Sequence, residues 1–122
     1  MKVRCILVVD DMAMYRRMAS HALVAAGYEV LEAENGEDGL QVLAESDVHA
    51  VVSDLNMPVM DGLTMIERIR ANPTTRGIPV LMVTTKSSAE IRARGREAGA
   101  TGWLVKPYKP AHLLMSLRRI CA

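Results

Sequence analysis

Short strand-like runs alternate with amphipathic segments along the whole chain. The runs lie at about 4–9, 29–32, 50–53, 80–84 and 102–105, and most are built from valine, isoleucine and leucine. Short runs of this kind predict strands buried on both faces, which is typical of a parallel sheet. Segments with the apolar spacing of helices follow them, at about 13–25, 36–45, 62–71, 88–98 and 110–121. We therefore expect five βα units.

Turn residues mark the ends of several predicted helices. Gly27 stands where a left-handed C-cap would end the first helix, and Asn35-Gly36 forms a turn before the second. Asn72-Pro73 ends the third helix, because the residue before a proline resists helical dihedrals. Short connections and right-handed crossovers then predict an α/β fold, a doubly wound three-layer sandwich forming a single domain over 1–122.

Polar residues follow four of the five predicted strands. In chain order they are Asp10, Asp11, Asp54, Thr84, Thr85 and Lys106. Ligands of open α/β sheets bind outside the carboxyl ends of the strands, so these side chains should converge on one edge. Oxygen ligands with water completing the shell suit Mg²⁺, and an ammonium suits a phosphoryl group. The pattern predicts a phosphate-handling site.

Each of these residues also has a purely structural interpretation. Asp11 could cap the following helix, Asp54 could be an ordinary loop acid, Thr84 could satisfy its own backbone and Lys106 could be solvated. Two adjacent acids are harder to explain in this way, because neighbouring like charges are costly unless a cation offsets them. An ammonium drawn to a sheet edge likewise needs an anion nearby.

Composition narrows the class of protein. With 122 residues, half of them apolar, the chain can bury a core without metals or disulfides. A net charge of +1 gives no reason to expect nucleic-acid binding. No apolar run approaches the ~18 residues of a membrane span. We interpret Cys5 and Cys121 as free thiols in a reducing compartment. We expect a cytoplasmic monomer without membrane contacts.

The motifs together resemble those of response-regulator receiver domains, most closely single-domain chemotaxis regulators of the CheY type. The residues that carry the resemblance are Val8-Val9-Asp10-Asp11, Ser53-Asp54-Leu55-Asn56-Met57-Pro58, Asp61-Gly62, Val83-Thr84, Gly99-Ala100 and Lys106-Pro107. The match covers essentially the whole chain in order. It implies a sheet of strand order 2-1-3-4-5, a cis bond between Lys106 and Pro107, and no output domain after the last helix.

The resemblance also implies a role for each acid in the site. Asp54 would accept a phosphoryl group from a histidine kinase. Asp11 and Asp54 would bind Mg²⁺ directly, Asn56 would bind it through its backbone carbonyl, and Asp10 would bind it mainly through water. The chain would assist its own phosphorylation and dephosphorylation without being an enzyme.

Further residues would control the phosphorylated state. Lys106 would pair with the phosphoryl oxygens, and Thr84 would move to hydrogen-bond them. Asn56, Thr85 and Lys86 would flank the path of attacking water and set the phosphoryl lifetime.

Trp103 stands where the family usually has a tyrosine, which relays the movement of the threonine. A buried tryptophan would need more room than tyrosine. Gly95, inside the fourth predicted helix, is interpreted as a point of low local stability in an element that rearranges.

The output surface is predicted from charge. Basic residues on and between the last two helices are Arg92, Arg94, Arg96, Lys109, Arg118 and Arg119. They could simply form a solvated face. They would also suit an acidic helical partner, such as the flagellar motor switch protein that the resemblance implies.

Other functions compete with binding of a motor switch protein. The chain could act as a phosphate sink or in a phosphorelay unrelated to motility. A haloacid-dehalogenase-type phosphatase is disfavoured, because that class needs Asp-x-Asp whereas Asp10 and Asp11 are adjacent, and its cap is missing. A flavodoxin is disfavoured because no threonine- and serine-rich phosphate loop follows the first strand.

Overall fold

The computed structural model describes residues 4–86 and 88–122, and these residues contain five strands and five helices in strict alternation. The strands are β1 (Cys5–Val9), β2 (Glu29–Ala33), β3 (Ala50–Asp54), β4 (Val80–Thr84) and β5 (Gly102–Val105). The helices are α1 (Ala13–Ala25), α2 (Gly36–Glu45), α3 (Gly62–Ala71), α4 (Ala89–Ala98) and α5 (Pro110–Ile120). The predicted elements are confirmed, with boundaries that differ by at most one residue.

The five strands form one parallel sheet of order β2-β1-β3-β4-β5, as predicted. The central strands are buried on both faces, which explains their continuous apolar sequence. In the register between β1 and β3, Val9 pairs with Ser53. Asp10 and Asp54 therefore follow paired positions, and this register brings their carboxylates to the same edge.

Two apolar clusters cover the two faces of the sheet. Leu7 and Val9 face the cluster that includes Met65 and Ile66 of α3. Ile6 and Val8 face the opposite cluster, to which α1 and α5 contribute residues such as Leu23, Leu113 and Leu117. Each fully buried side chain of this size contributes about 1.5–3 kcal/mol. The sheet is therefore a rigid platform for the loops at its carboxyl edge.

The predicted turn residues act at the helix ends. Gly27 has a φ of 97°, in the left-handed region, and follows Ala26, the C-cap of α1. The Asn35 side chain accepts a hydrogen bond from the Asp38 N–H at the start of α2, and α3 ends at Asn72. The helix predicted from residue 88 starts one residue later, because Ser88 is extended and caps α4 by accepting from the Ile91 N–H.

No helix among the described residues combines the length and the hydropathy needed to cross a bilayer.

The loop from β3 to α3 contains a strained turn at Val59. This exposed residue has a φ of 69°, and the Met60 N–H donates to the carbonyl of Pro58 at 2.7 Å. A hydrogen bond between residues two apart with positive φ at the centre is a γ-turn of the rare, strained kind, which is unfavourable for a β-branched residue.

We expect Val59→Asn to raise the free energy of unfolding by about 1 kcal/mol, because asparagine tolerates positive φ. Urea denaturation measures the change. Val24→Asn is the matched control, since Val24 is also exposed but lies in the regular helix α1 and should show no such gain. Equal effects of the two substitutions would contradict strain at Val59.

Candidate functional site

Three carboxylates meet at the carboxyl edge of the sheet. Asp54 is the last residue of β3, and Asp10 and Asp11 directly follow β1. One oxygen from each lies within 4.8 Å of the others, which is a spacing that could hold a metal ion. Asp10 and Asp54 are buried, whereas Asp11 is exposed and opens the cluster to solvent. The predicted convergence of the three acids is confirmed.

The environment of Asp54 favours its protonated form. Burial raises its pKa from 3.8 to about 6, and the charge of Asp10 adds to the rise. The Lys106 ammonium and a backbone hydrogen bond at Leu55 act in the opposite direction. A carboxylate in a tight pocket with a second carboxylate is costly to ionise unless a cation enters. A cation between the carboxylates would offset this cost.

The Lys106 side chain is buried beside the carboxylates rather than solvated. Its Nζ donates to Asp10 Oδ2 at 2.8 Å and lies 3.5 Å from Asp54 Oδ1. The same nitrogen lies 4.1 Å from the centroid of the Tyr15 ring. The Lys106-Pro107 bond is cis, as predicted. Asp10 is thus the anion that was expected beside the Lys106 ammonium. The alternative interpretation, in which Lys106 is solvated, was wrong.

The two adjacent acids have different surroundings. Asp10 Oδ1 accepts from the Met12 N–H at 2.9 Å, and the Asp10 carbonyl accepts from Arg16. Helix α1 is preceded by Met12 and has no side-chain cap among the described residues. The interpretation of Asp11 as a helix cap was therefore wrong. Its exposed carboxylate remains available to a ligand.

The last residue of β4 and the two that follow it lie at the same edge. Thr84 is buried, and its hydroxyl accepts from the Lys86 N–H at 3.1 Å, so it satisfies a backbone group two residues away and not its own backbone. The hydroxyl hydrogen can still be donated elsewhere. Thr85, Lys86 and Asn56 are exposed around the opening of the site. The Gly62 N–H, donating to the Leu55 carbonyl at 2.8 Å, closes the loop that follows Asp54.

Comparison with known proteins decides the family. The family model described as "Response regulator receiver domain" matches residues 6–118, nearly the whole chain. The chain belongs to the response regulator receiver domain family. Membership removes the flavodoxin and the haloacid-dehalogenase-type phosphatase as alternatives, and it agrees with the resemblance drawn from the motifs.

Individual relatives place this receiver domain near chemotaxis regulators. Chemotaxis protein CheY1 of Helicobacter pylori (strain J99) is 37% identical over 107 residues, covering 86% of each chain. The phosphate regulon transcriptional regulatory protein PhoB of Pseudomonas aeruginosa is 33% identical over 117 residues. That match covers 96% of this chain but only 51% of PhoB, so this chain spans about half the length of that relative.

A solved structure agrees with the sequence relatives. The chemotaxis response regulator CheY4 of Vibrio cholerae is similar, with a TM-score of 0.93 and 40% identity. The likeness covers 98% of this chain and 99% of that one. This receiver domain is therefore CheY-like in fold over essentially all of its length.

The receiver domain places Trp103 against a glycine. Trp103 on β5 is partly buried, and a Cβ built on Gly95 of α4 would collide with Cζ3 of the indole and lie 3.3 Å from its Cε3. Among the described residues, the buried indole Nε1 has no hydrogen-bond acceptor. The additional room that tryptophan needs is thus provided by the missing side chain of Gly95. This packing gives the glycine a more direct role than low helix stability.

The basic residues predicted to form one surface line different clefts. Arg92 and Arg96 line a cleft of about 180 Å³ beside Trp103, between α4 and β5. Arg119 lines a second cleft, of about 330 Å³, on the α5 side of β5.

The remaining basic residues lie apart from these clefts. Arg94 is exposed and lines a different depression, with Asp61 and Glu67 of the α3 region, so its place in the partner surface stays a prediction. Lys109 and Arg118 are exposed but line neither cleft beside β5.

Sequence reasoning missed two aromatic contributors to the site. Tyr15 lies in α1 against Lys106, and its ring centroid is 6.0 Å from that of Tyr108. Burial, with the charges of Asp10 and Tyr15, raises the pKa of Tyr108 to about 12. The only available signal was the position of Tyr15 one turn after Asp11. Helical periodicity alone does not show which neighbour an aromatic ring will meet.

Proposed function

We propose that this receiver domain accepts a phosphoryl group on Asp54 from a histidine kinase and thereby controls the binding of a partner. The observation that carries the proposal is the position of Asp54, buried at the end of β3 between Asp10, Asp11 and the Lys106 ammonium. This arrangement combines an oxygen nucleophile with groups that can neutralise a transferring phosphoryl group. Electrostatic stabilisation and positioning contribute most of the catalysis in such transfers.

The acidic cluster fits Mg²⁺ as its cofactor. Carboxylate oxygens at one open site are the ligands that this ion prefers, with water and phosphate oxygens completing the shell. Asp11 and Asp54 would bind it directly, the Asn56 carbonyl would add a third ligand, and Asp10 would act through water. The direct bond between Asp10 and Lys106 supports a less direct role for Asp10. When bound, Mg²⁺ supplies positive charge to the phosphoryl oxygens.

Transfer requires Lys106 to change partners. A bond forms between an Asp54 oxygen and phosphorus, while the bond from phosphorus to the donor histidine nitrogen breaks. The Lys106 ammonium then turns from Asp10 towards a phosphoryl oxygen, which carries more charge than a single carboxylate oxygen. Because Nζ already lies 3.5 Å from Asp54 Oδ1, only a small movement is needed. The domain thus assists a reaction on its own side chain and turns over no separate substrate.

Three exposed residues would set the lifetime of the acyl phosphate. Asn56 lies two residues after Asp54, and Thr85 and Lys86 follow Thr84 at the opening of the site. Water must approach phosphorus past these side chains. Lys86 adds a positive charge beside that path, and Thr85 adds bulk.

The switch would run from Thr84 to the β5 edge. When the Thr84 hydroxyl turns to donate to a phosphoryl oxygen, it pulls on the β4–α4 loop through the hydrogen bond that it accepts from the Lys86 N–H. Trp103 packs beneath α4 on Gly95, so a shift of the loop and helix changes the indole environment and the adjacent cleft. The fourth helix and the β5 edge are thereby coupled to the phosphorylation site.

The basic charge of the surface beside Trp103 favours an acidic helical partner. Arg92, Arg96 and Arg119 line the two clefts that Trp103 also lines, and Arg94, Lys109 and Arg118 are further exposed basic residues of α4, α5 and the segment between them. We propose a flagellar motor switch protein in the cytoplasm as this partner, in line with the role in chemotaxis that the names of two relatives state for those proteins. A pull-down with a motor switch protein distinguishes this output from a phosphate sink, because only the motor output predicts binding that depends on phosphorylation.

Incubation with acetyl phosphate and Mg²⁺ tests the proposed chemistry. We expect intact-mass analysis to show one added phosphoryl group, which hydroxylamine releases because an acyl phosphate is sensitive to it. Excess chelator should prevent the labelling. Equal labelling with and without Mg²⁺ would contradict the proposal, since the three carboxylates would then have no cation to bind.

A further inference from the structure

The Lys106 ammonium is enclosed on three sides by different groups. Asp10 Oδ2 accepts from it at 2.8 Å, Asp54 Oδ1 lies at 3.5 Å, and the face of the Tyr15 ring lies with its centroid 4.1 Å away. The Lys106 side chain is only 2% exposed. Tyr15 therefore replaces water at the side of the ammonium that the carboxylates do not cover.

An aromatic face stabilises a cation differently from a carboxylate. The attraction comes from the ring quadrupole, is strongest when the pair is desolvated, and requires no hydrogen bond in a fixed direction. The ammonium can therefore turn from Asp10 to another acceptor while it stays against the ring. This is the movement that phosphorylation of Asp54 requires of Lys106.

The Tyr15 ring is itself held in place. Tyr15 lies in the first turn of α1, and its ring packs at 39° against that of Tyr108, with centroids 6.0 Å apart. Tyr108 follows the cis Lys106-Pro107 bond and packs on the core that contains Leu113 and Leu117. The ring that contacts the ammonium is thus supported by the same segment that carries the lysine.

We propose that Tyr15 is a positioning residue for the Lys106 ammonium, holding it by a cation–π contact so that it can exchange Asp10 for a phosphoryl oxygen. The inference rests on the proposed function, in which Lys106 neutralises the phosphoryl group. Tyr15 touches neither phosphorus nor metal in this account and acts only through Lys106. Its contribution depends on the electron density of the ring and not only on its volume.

Two substitutions distinguish the effect of the aromatic face of Tyr15 from the effect of its side-chain volume. We expect Tyr15→Leu to slow labelling by acetyl phosphate and Mg²⁺ by about tenfold, as the loss of a desolvated cation–π contact implies. Tyr15→Phe keeps the aromatic face and should restore the rate to within about twofold of the parent. Tyr28→Leu is the matched control, because Tyr28 also packs on the α1–α5 side but precedes β2, far from Lys106 in the chain and outside the acidic cluster. It should leave the rate unchanged.

A fluorinated phenylalanine series at position 15 provides the decisive readout. Added fluorine atoms weaken the ring quadrupole with little change in shape, so the logarithm of the labelling rate should fall steadily with fluorine number. The affinity for beryllofluoride with Mg²⁺, followed through Trp103 fluorescence, should fall in the same order. Circular dichroism confirms that each variant is folded, and the series remains informative even if Tyr15→Leu does not fold.

The possible outcomes distinguish a failure of the proposed function from a failure of the cation–π inference. If the parent protein is not labelled at all, the proposed function fails. If the parent is labelled but the rate is independent of fluorine number, or if Tyr15→Leu matches Tyr15→Phe, Tyr15 only fills space and the cation–π inference is wrong. A graded loss across the series, with Tyr28→Leu at the parent rate, supports the inference.

Discussion

Asp54→Asn is expected to raise the free energy of unfolding of the Mg²⁺-free protein by up to about 3 kcal/mol at pH 7.5. Burial is the main cause, because it raises the pKa of Asp54 from 3.8 to about 6, and Asp10 adds repulsion. The side chain is only 10% exposed, so solvent screens this cost weakly. Asparagine has nearly the same shape and carries no charge to desolvate.

The gain in the free energy of unfolding should increase as the pH rises. Between pH 3.8 and about 6 the folded protein binds more protons at Asp54 than the unfolded chain does. Stability contributed by this group is therefore fully present below pH 3.8 and is lost as the pH rises through about 6. The difference between parent and Asp54→Asn should be largest above pH 6.5 and should nearly disappear at pH 4.

Urea denaturation in chelator at several pH values measures this difference. Glu45→Gln is the control, because Glu45 is an exposed acid at the end of α2 and its neutralisation should have little effect at any pH. A stability gain in Asp54→Asn that is constant from pH 4 to pH 7.5 would mean that its origin is not the ionisation of Asp54. Saturating Mg²⁺ should reduce the gain, since the cation stabilises the parent.

Gly95→Ala is expected to displace the Trp103 indole. A Cβ at position 95 would meet Cζ3 of the ring at a distance that real side chains do not adopt. The indole is rigid, so either it moves outward or α4 moves away from the sheet. Overpacking of this kind costs about 1–3 kcal/mol, whereas alanine inside a helix is favoured over glycine by about 1 kcal/mol. The two effects oppose each other in the single variant.

A double-mutant cycle separates these two effects. In a Trp103→Leu background the clash is removed, and Gly95→Ala should stabilise the protein by about 1 kcal/mol through helix propensity alone. In the parent the same change should be neutral or destabilising, which gives a coupling of about 1–3 kcal/mol.

Fluorescence provides an independent readout, because Trp103 is the only tryptophan. Its emission should shift to the red in Gly95→Ala, and iodide should quench it more. Equal stability changes in both backgrounds and an unchanged spectrum would exclude the contact.

The fold was predictable because strand burial is encoded locally. The buried central strands appear in the sequence as apolar runs, and Gly27, Asn35 and Asn72 mark helix ends through their own conformational preferences. The boundary at Ser88 was placed one residue early, because a serine that caps a helix and one that begins it differ only in dihedral angles. Strand order came from the resemblance, since periodicity does not determine which strands pair.

The site was predictable only in part. The acids and Lys106 were found because each follows a strand, and the topology brings those positions together. The contacts of Tyr15 with Lys106 and of Gly95 with Trp103 were not found, because each joins elements that are distant in sequence. That Arg94 lines a depression beside α3, away from Arg92 and Arg96, was not predicted either, since charge alone does not indicate which neighbours the residues of one helix face.

The location of the phosphoryl group tests the central claim most directly. Parent and Asp54→Asn should be incubated with acetyl phosphate and Mg²⁺, reduced with borohydride to convert an aspartyl phosphate to a stable alcohol, and mapped by peptide mass spectrometry. We expect one modified residue in the parent, Asp54, and no phosphoryl adduct on the variant. Modification of Asp10 or Asp11 in the parent, or undiminished labelling of Asp54→Asn, would contradict the account.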